Sequence, residues 1–281
     1  MAIRLIVTDL DGTLMAPDHV TVTERTKKAL LDAHDQGVKT AIATGRTISL
    51  IGMVTQQVDF IDYVIYSNGA AVYDRVNKKL IYTAFFPTQK ALELAAYLES
   101  EPLFYEMYAN GWSYVPKEKA SLFDGGALPP EFIEKITENV NFVEDMAQVV
   151  RRSDVEKFNV SSMAPDRAAA ITERLKHFDG ADWTSSLPDS NVQNQMELMR
   201  SGVHKGSAVS GMCQALGILP EEVMAFGDAE NDCTMLRFAG WSFAMGNACD
   251  ACRAAAKYQT ASNAEDGLAQ AVEKYVLHRG E

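Results

Sequence analysis

Short, almost uninterrupted apolar runs recur near both ends of this chain, and each is followed by a helical pattern. They span residues 3–7, 38–44 and 63–66 near the start, and 223–226 and 241–245 near the end. Apolar runs of this length, alternating with helices, are typical of parallel strands that are covered on both faces. The pattern therefore predicts an α/β fold built on a parallel sheet.

The first predicted helix has a start signal and a stop signal. Thr21 and Glu24 form a T-x-x-E capping box, in which the threonine side chain accepts from free amides at the helix start. Gly37 follows the last apolar position and suits the left-handed residue that ends many helices. We expect this helix to begin just after Thr21 and to end at Gly37.

The middle of the chain follows a different pattern. Asn110-Gly111 lies between two apolar runs and is a strong signal for an antiparallel hairpin. Further strands are predicted at 155–163 and 192–199, and helices near 88–99, 130–138 and 166–177. We therefore expect a Rossmann-like core formed by residues 1–85 and 200–281, interrupted by an inserted α+β domain at residues 86–199.

Composition excludes several classes of protein. The 281 residues include 26 Lys or Arg and 38 Asp or Glu, for a formal net charge of −12. This balance argues against a nucleic-acid partner and against binding to an anionic membrane surface. No apolar run reaches the roughly 18–20 residues of a membrane-spanning helix. With only four cysteines and no signal-peptide pattern, we expect a cytoplasmic protein.

The segment Asp9-Leu10-Asp11-Gly12-Thr13 lies where the first strand is predicted to end. Ligands of open α/β sheets bind at that edge. Strand alternation places the two carboxylates on one side, and Gly12 allows a sharp turn behind them. Two carboxylates this close repel each other, so either the pKa of one of them rises or a cation lies between them. The segment therefore predicts a site for a hard divalent cation such as Mg²⁺.

The D-x-D-G-T segment resembles the first motif of the haloacid dehalogenase superfamily. The other three motifs of that family follow in the family order. They are matched by Thr44 in Thr44-Gly45-Arg46, by Lys205 in His204-Lys205-Gly206, and by Gly227-Asp228-Ala229-Glu230-Asn231-Asp232. Each lies at the end of a predicted strand or at the adjoining helix start, so the order of the four motifs supports the resemblance more than any one of them.

The resemblance implies a phosphoryl-transfer mechanism. Asp9 would attack phosphorus to form an aspartyl-phosphate, and Asp11 would act as general acid and then as general base. Mg²⁺ would be bound by Asp9, the Asp11 carbonyl and Asp228.

The same resemblance assigns the residues that surround the phosphoryl group. Its oxygens would be bound by the side chains of Thr44, Lys205 and Asn231, together with backbone amides that include those of Leu10 and Gly45. Asn231 and Asp232 are further candidates for orienting Lys205 or a metal-bound water.

The length between the second and third motifs points to one branch of the superfamily. Residues 86–199 resemble the α/β cap of the Cof-type phosphatases. So do three further segments: Ser67-Asn68-Gly69-Ala70, Met245-Gly246-Asn247-Ala248 and the stretch from Ser262 to Gly267. His204 departs from the Asn or Asp that usually precedes the lysine, and it is interpreted as a helix-start residue or a proton shuttle.

The function implied is hydrolysis of small phosphorylated metabolites, with a hexose phosphate or related phosphomonoester as the first choice. A phosphomutase of the phosphomannomutase type is the nearest alternative, since it shares these motifs and this cap. A phosphoryl-accepting regulatory module is a third alternative, although the D-x-D-G-T segment and the large insertion argue against it. The sequence makes no prediction of oligomeric state.

Overall fold

The computed structural model describes residues 2–122, 140–161, 163–164, 166–184 and 195–278. The chain divides by its contacts into two units. The core unit comprises Met1–Arg46, Ile51–Thr83 and His204–Glu281, and the inserted unit comprises Thr47–Leu50 and Ala84–Val203. The helix predicted near 130–138 and the first part of the strand predicted at 192–199 lie outside the described residues.

The described elements alternate as the sequence predicts. In chain order the strands are β1 (Leu5–Thr8), β2 (Lys39–Ala43), β3 (Tyr63–Tyr66), β4 (Ala71–Asp74), β5 (Lys79–Thr83), β6 (Phe104–Ala109), β7 (Trp112–Pro116), β8 (Val140–Val143), β9 (Val155–Ser161), β10 (Ala181–Thr184), β11 (Met196–Arg200), β12 (Val223–Gly227), β13 (Trp241–Ala244) and β14 (Tyr258–Gln259). The α-helices are α1 (Glu24–Asp35), α2 (Gly52–Gln57), α3 (Thr88–Ser100), α4 (Met146–Arg152), α5 (Ala168–Lys176), α6 (Lys205–Leu216), α7 (Cys233–Phe238), α8 (Asp250–Ala255) and α9 (Gly267–Tyr275). Of the helices in the described part of the chain, none has the length and apolar character needed to cross a membrane.

The sheet of the core unit confirms the predicted α/β class. Among the described residues its strand order is β14-β13-β12-β1-β2-β3-β4-β5. Every pairing from β14 across to β3 is parallel. The last two strands, β4 and β5, extend the sheet as an antiparallel hairpin that the sequence analysis did not predict. Strand β5 is largely exposed, so it lacks the apolar pattern that identifies the buried strands.

The N-cap of α1 lies two residues beyond the predicted one. Thr23, not Thr21, is the N-cap, and its side chain accepts from the amide of Thr26. The backbone of Thr21 instead belongs to the preceding loop, where its amide donates to Asp18. The stop signal is confirmed, because Gly37 has a φ of +89° just after the helix.

The order of the strands determines where the chemistry-bearing residues lie. Strand β1 pairs with β12 on one side and with β2 on the other. The chain leaves β1 towards β2 and returns through β12, so this is the point where the strand order reverses, and ligands of such sheets bind there. Asp9, Thr44 and Asp228 directly follow β1, β2 and β12.

The inserted unit has a mixed sheet with order β10-β11-β9-β6-β7-β8 among the described residues. Its β6–β7 hairpin turns at Asn110-Gly111, where both residues have positive φ, as the sequence predicts. Side chains from α3, α4 and α5 pack with strand side chains such as Tyr105, Phe158 and Leu198 in one hydrophobic cluster.

We expect Gly206→Ala to destabilise the core unit. A Cβ at this position of α6 would lie 2.6 Å from the carbonyl oxygen of Thr234 in α7, so two helices would have to separate. Overpacking of this kind costs roughly 1–3 kcal/mol. Urea unfolding measures the loss. Gly52→Ala is the matched control, because a Cβ at that helical glycine meets nothing within 4 Å. Equal stability of the two variants would contradict the expectation.

Candidate active site

A buried lysine joins two aspartates from different parts of the core unit. The Nζ of Lys205 donates to Asp9 Oδ1 at 2.5 Å and to Asp232 Oδ1 at 2.6 Å. The Lys205 and Asp232 side chains are fully buried, and that of Asp9 is 8% exposed. Because charges buried in this way are stable only when paired and hydrogen-bonded, the contacts fix the three groups relative to one another.

Local structure at the start of α6 places Lys205. His204 is the N-cap, and its Nδ1 accepts from the amide of Ser207 while Ser207 Oγ bonds the His204 backbone. Of the two roles that the sequence left open for His204, helix start or proton shuttle, this geometry supports the helix start. Since Lys205 is the first helical residue, its direction follows from this cap.

The charged groups of this cluster change one another's pKa values. Burial raises the pKa of Asp9 well above its ordinary value, and the carboxylate of Asp232 adds to the rise. Burial acts to lower the pKa of Lys205, but the two carboxylates outweigh it and raise that pKa instead. The lysine therefore stays charged at any physiological pH, and further positive charge near Asp9 would favour its ionised form.

Asp228 completes an acidic cluster with Asp9 and Asp232. Each of the three offers a carboxylate oxygen, and these oxygens lie within 4.8 Å of one another. Burial, followed by the charge of Asp232, raises the pKa of Asp228 to about 7. Three carboxylates facing one lysine form an oxygen-donor set with excess negative charge, which fits a hard divalent cation.

Asp232 differs from its two neighbours in that the protein occupies both of its oxygens. Oδ1 accepts from Lys205, and Oδ2 accepts from the backbone amides of Asp228 and Ala229, each at 3.0 Å. The Asp228 carboxylate is more available to a cation, since the contact with the hydroxyl of Thr13, at 2.6 Å, involves only its Oδ1. Asp9 and Asp228 are thus the better cation ligands, and Asp232 positions Lys205 and the Asp228 loop.

The turn after β1 brings the first motif to this cluster. Gly12 has a φ of +82°, and a Cβ there would collide with the Asp228 carboxylate. The buried Leu10 closes the turn, since its carbonyl accepts from the amide of Met15 at 3.0 Å. Only glycine allows this backbone to pass so close to Asp228.

Asp11 is paired with an arginine to which the sequence analysis assigned no role. Arg46 binds both carboxylate oxygens of Asp11, with Nε to Oδ2 at 2.9 Å and Nη2 to Oδ1. His19 Nδ1 lies 3.7 Å from Oδ1. The two residues are 35 positions apart in sequence, so no local pattern indicates the pair.

The predicted phosphate ligands lie along connected loops. Thr44 is buried, its hydroxyl accepts from the Arg46 amide at 3.1 Å, and Gly45 lies between the two. The carbonyl of Thr44 accepts from the amide of Asn68 at 3.0 Å. Asn68 Oδ1 in turn accepts from Asn231 Nδ2 at 3.1 Å. The buried Asn231 Oδ1 has no hydrogen-bond partner among the described residues.

Without a divalent cation, we expect the charge on Asp228 to reduce stability as pH rises from about 4 to about 7. The pKa of Asp228 rises on folding from 3.8 to about 7, so the folded chain keeps a proton that the unfolded chain has released. We expect the free energy of unfolding to fall by about 2 kcal/mol. This is roughly half of the free energy that corresponds to the full pKa shift, because the group is partly exposed. The measurement is urea unfolding in chelator at pH 4 and pH 7.5.

The variant Asp228→Asn isolates this contribution from that of other carboxylates. We expect its stability to fall less than that of the unaltered protein over the same pH range. An identical loss in both proteins would show that Asp228 does not titrate in this window.

The chain is similar to known proteins over almost its whole length. The family model of haloacid dehalogenase-like hydrolases matches residues 6–272. A 5-amino-6-(5-phospho-D-ribitylamino)uracil phosphatase of Bacillus subtilis is 28% identical, covering 98% of this chain and 96% of its own. A pyridoxal phosphate phosphatase of Escherichia coli is 29% identical over 99% of this chain and all of its own. The solved structure of a subclass IIB sugar phosphatase has a TM-score of 0.76 at 25% identity, covering 97% of this chain and 98% of its own. The resemblance read from the four motifs is therefore confirmed: the chain belongs to the haloacid dehalogenase-like hydrolases, and it is an enzyme of the phosphatase type.

Proposed function

We propose that this enzyme hydrolyses small phosphomonoesters through an aspartyl-phosphate on Asp9, with Mg²⁺ as cofactor. The observation that carries the proposal is the buried Lys205 between Asp9 and Asp232, with Asp228 beside them. A structural ion pair needs one carboxylate for one lysine. Here the excess of carboxylates at the carboxyl edge of the sheet supports a site for a cation and a phosphoryl group.

The first step forms a bond between an Asp9 oxygen and phosphorus and breaks the bond from phosphorus to the leaving oxygen. Lys205 donates to Asp9 Oδ1, so Oδ2 is the oxygen assigned to the attack. The lysine charge also lies where negative charge gathers on the phosphoryl oxygens. Phosphoryl transfer depends mainly on such positioning and charge stabilisation.

Proton transfer is assigned to Asp11. It donates a proton to the leaving oxygen, and it then takes one from the water that attacks phosphorus and releases phosphate from Asp9. The bond to Arg46 holds the carboxylate in a defined place before substrate arrives. We propose that Arg46 releases Asp11 when substrate binds and that Thr44, Gly45, Leu10 and Asn231 contribute to holding the phosphoryl group.

Asp9, Asp228 and the Asp11 carbonyl would hold the Mg²⁺. When bound, the ion neutralises the nucleophile and the phosphoryl oxygens together. The hydroxyl of Thr13 orients Asp228 for this task by its 2.6 Å hydrogen bond. The raised pKa values of Asp9 and Asp228 support the assignment, because a cation at this place would let both groups ionise.

The substrate class proposed is the small phosphorylated metabolites, with sugar phosphates first. Relatives named for this class of substrate include the pyridoxal phosphate phosphatase, the phosphoribitylaminouracil phosphatase and the subclass IIB sugar phosphatase. We further propose that the inserted unit acts as a cap domain that selects the leaving group, and that the enzyme is cytoplasmic.

Replacing the nucleophile tests the central step. We expect Asp9→Asn to lower the turnover number at least a thousandfold and to abolish labelling of the protein by a phosphorylated substrate, because an amide cannot attack phosphorus. Phosphate release and acid-stable labelling are measured together. Asp59→Asn, at an exposed aspartate of the core unit, is the matched control. Activity of Asp9→Asn near that of the control would disprove the mechanism.

Metal dependence tests the assignment of Asp228. We expect chelation to stop phosphate release and Mg²⁺ to restore it, and we expect Asp228→Ala to need at least tenfold more Mg²⁺ for half-maximal activity. Titration of activity with Mg²⁺ gives both values. Activity that is indifferent to chelators, or an unchanged Mg²⁺ requirement in the variant, would contradict the assignment.

A panel of phosphorylated metabolites separates hydrolysis from the alternatives. Steady release of phosphate is expected, in proportion to the alcohol formed. Isomerisation of a sugar phosphate without net release would identify a mutase. A stable phosphorylated protein without turnover would identify a regulatory module.

A further inference from the structure

Two asparagines from the end of the chain hold the turn that carries the first motif. The Nδ2 of Asn247 donates to the carbonyl oxygen of Gly12 at 2.8 Å. The Nδ2 of Asn263 donates to the carbonyl oxygen of Met15 at 2.9 Å. These bonds hold both ends of the turn 12–15, although the partners lie 235 and 248 residues apart in sequence.

The two asparagines also hold each other. The Oδ1 of Asn247 accepts from the backbone amide of Asn263 at 3.1 Å. Both ends of the Asn247 amide are therefore occupied by backbone groups, which fixes its orientation. The exposed side chain of Asn247 thus hydrogen-bonds two loops that are distant in sequence, and these bonds hold the loops together.

The turn that they hold leads directly to the acidic cluster. Thr13, between the two held carbonyls, donates to Asp228, and Gly12 packs against the same carboxylate. Asp11 precedes the held turn by one residue. The loop of Asn247 is tied to the same place by the amide of Cys249, which donates to the Asp228 carbonyl at 2.8 Å.

We propose that Asn247 and Asn263 are positioning residues that fix the turn 12–15 and, through Thr13, the Asp228 carboxylate as a cation ligand. The inference deepens the proposed function, because it rests on the cation site assigned there. Partners that orient a ligand in this way typically change metal affinity by 10- to 100-fold when they are removed.

The test is calorimetric titration of Mg²⁺ into the chelator-treated full chain without substrate. We expect Asn247→Ala to weaken Mg²⁺ binding about tenfold and Asn263→Ala to weaken it by a smaller factor. The double variant should match Asn247→Ala alone, since loss of Asn247 also frees the Asn263 backbone. Unchanged Mg²⁺ affinity in both single variants would overturn the proposal.

Asn77→Ala is the matched control for a general structural effect. Asn77 also uses its side chain and its backbone in a turn of the core unit, but both bonds go to Asp74. We expect the control to bind Mg²⁺ with the affinity of the unaltered protein. We also expect its thermal unfolding midpoint to fall as much as that of Asn247→Ala. Equal weakening of Mg²⁺ binding in the control would overturn the positioning role.

The experiment separates this inference from the proposed function. If no phosphomonoester is hydrolysed but the Mg²⁺ affinities follow the expected order, the positioning role stands and the proposed reaction is wrong. If hydrolysis occurs, we expect Asn247→Ala to lower kcat at saturating substrate with little change in KM. If Asn247→Ala does not fold, the test uses Asn263→Ala alone, and the same Mg²⁺ criterion applies to it.

Discussion

The core unit depends on the pairing of one buried lysine with two aspartates. Lys205, Asp9 and Asp232 lie on three separate segments, and each would be a costly buried charge without the others. The pairing requires the end of β1, the start of α6 and the loop before α7 to meet at one point. It also leaves an excess of negative charge at that point, so the interaction that organises the site makes it receptive to a cation.

Around this pairing, the remaining contacts restrict the motion of the reactive groups. Asp232 bonds the amides of Asp228 and Ala229, Thr13 bonds Asp228, and Arg46 bonds Asp11. The amide and hydroxyl contacts orient Asp232 and Asp228 without neutralising them, whereas Arg46 holds Asp11 in an ion pair. A phosphoryl-transfer site requires this combination, since stabilisation of the transition state depends on charges that are already in place.

Much of this arrangement could be predicted because it is encoded locally. The buried strands have continuous apolar patterns, and a parallel sheet places all their carboxyl ends at one edge, which locates Asp9, Thr44 and Asp228. The hairpin at Asn110-Gly111 follows from a dipeptide that tolerates positive φ. The cap at Thr21 was wrong by two residues because two threonines compete there, and the loop contacts of Asp18 decide between them.

The sequence alone determined the fold class, the family and the order of the motifs, because these depend on residue types and on spacing along the chain. Only the tertiary structure decided which groups are partners. The pairing of Arg46 with Asp11 and the bond from Asn247 to Gly12 join segments that are far apart in sequence and have no periodic or local signal. Such contacts arise from the packing of distant loops at the sheet edge. There a suitably oriented side chain forms a hydrogen bond to a group that is far away in sequence.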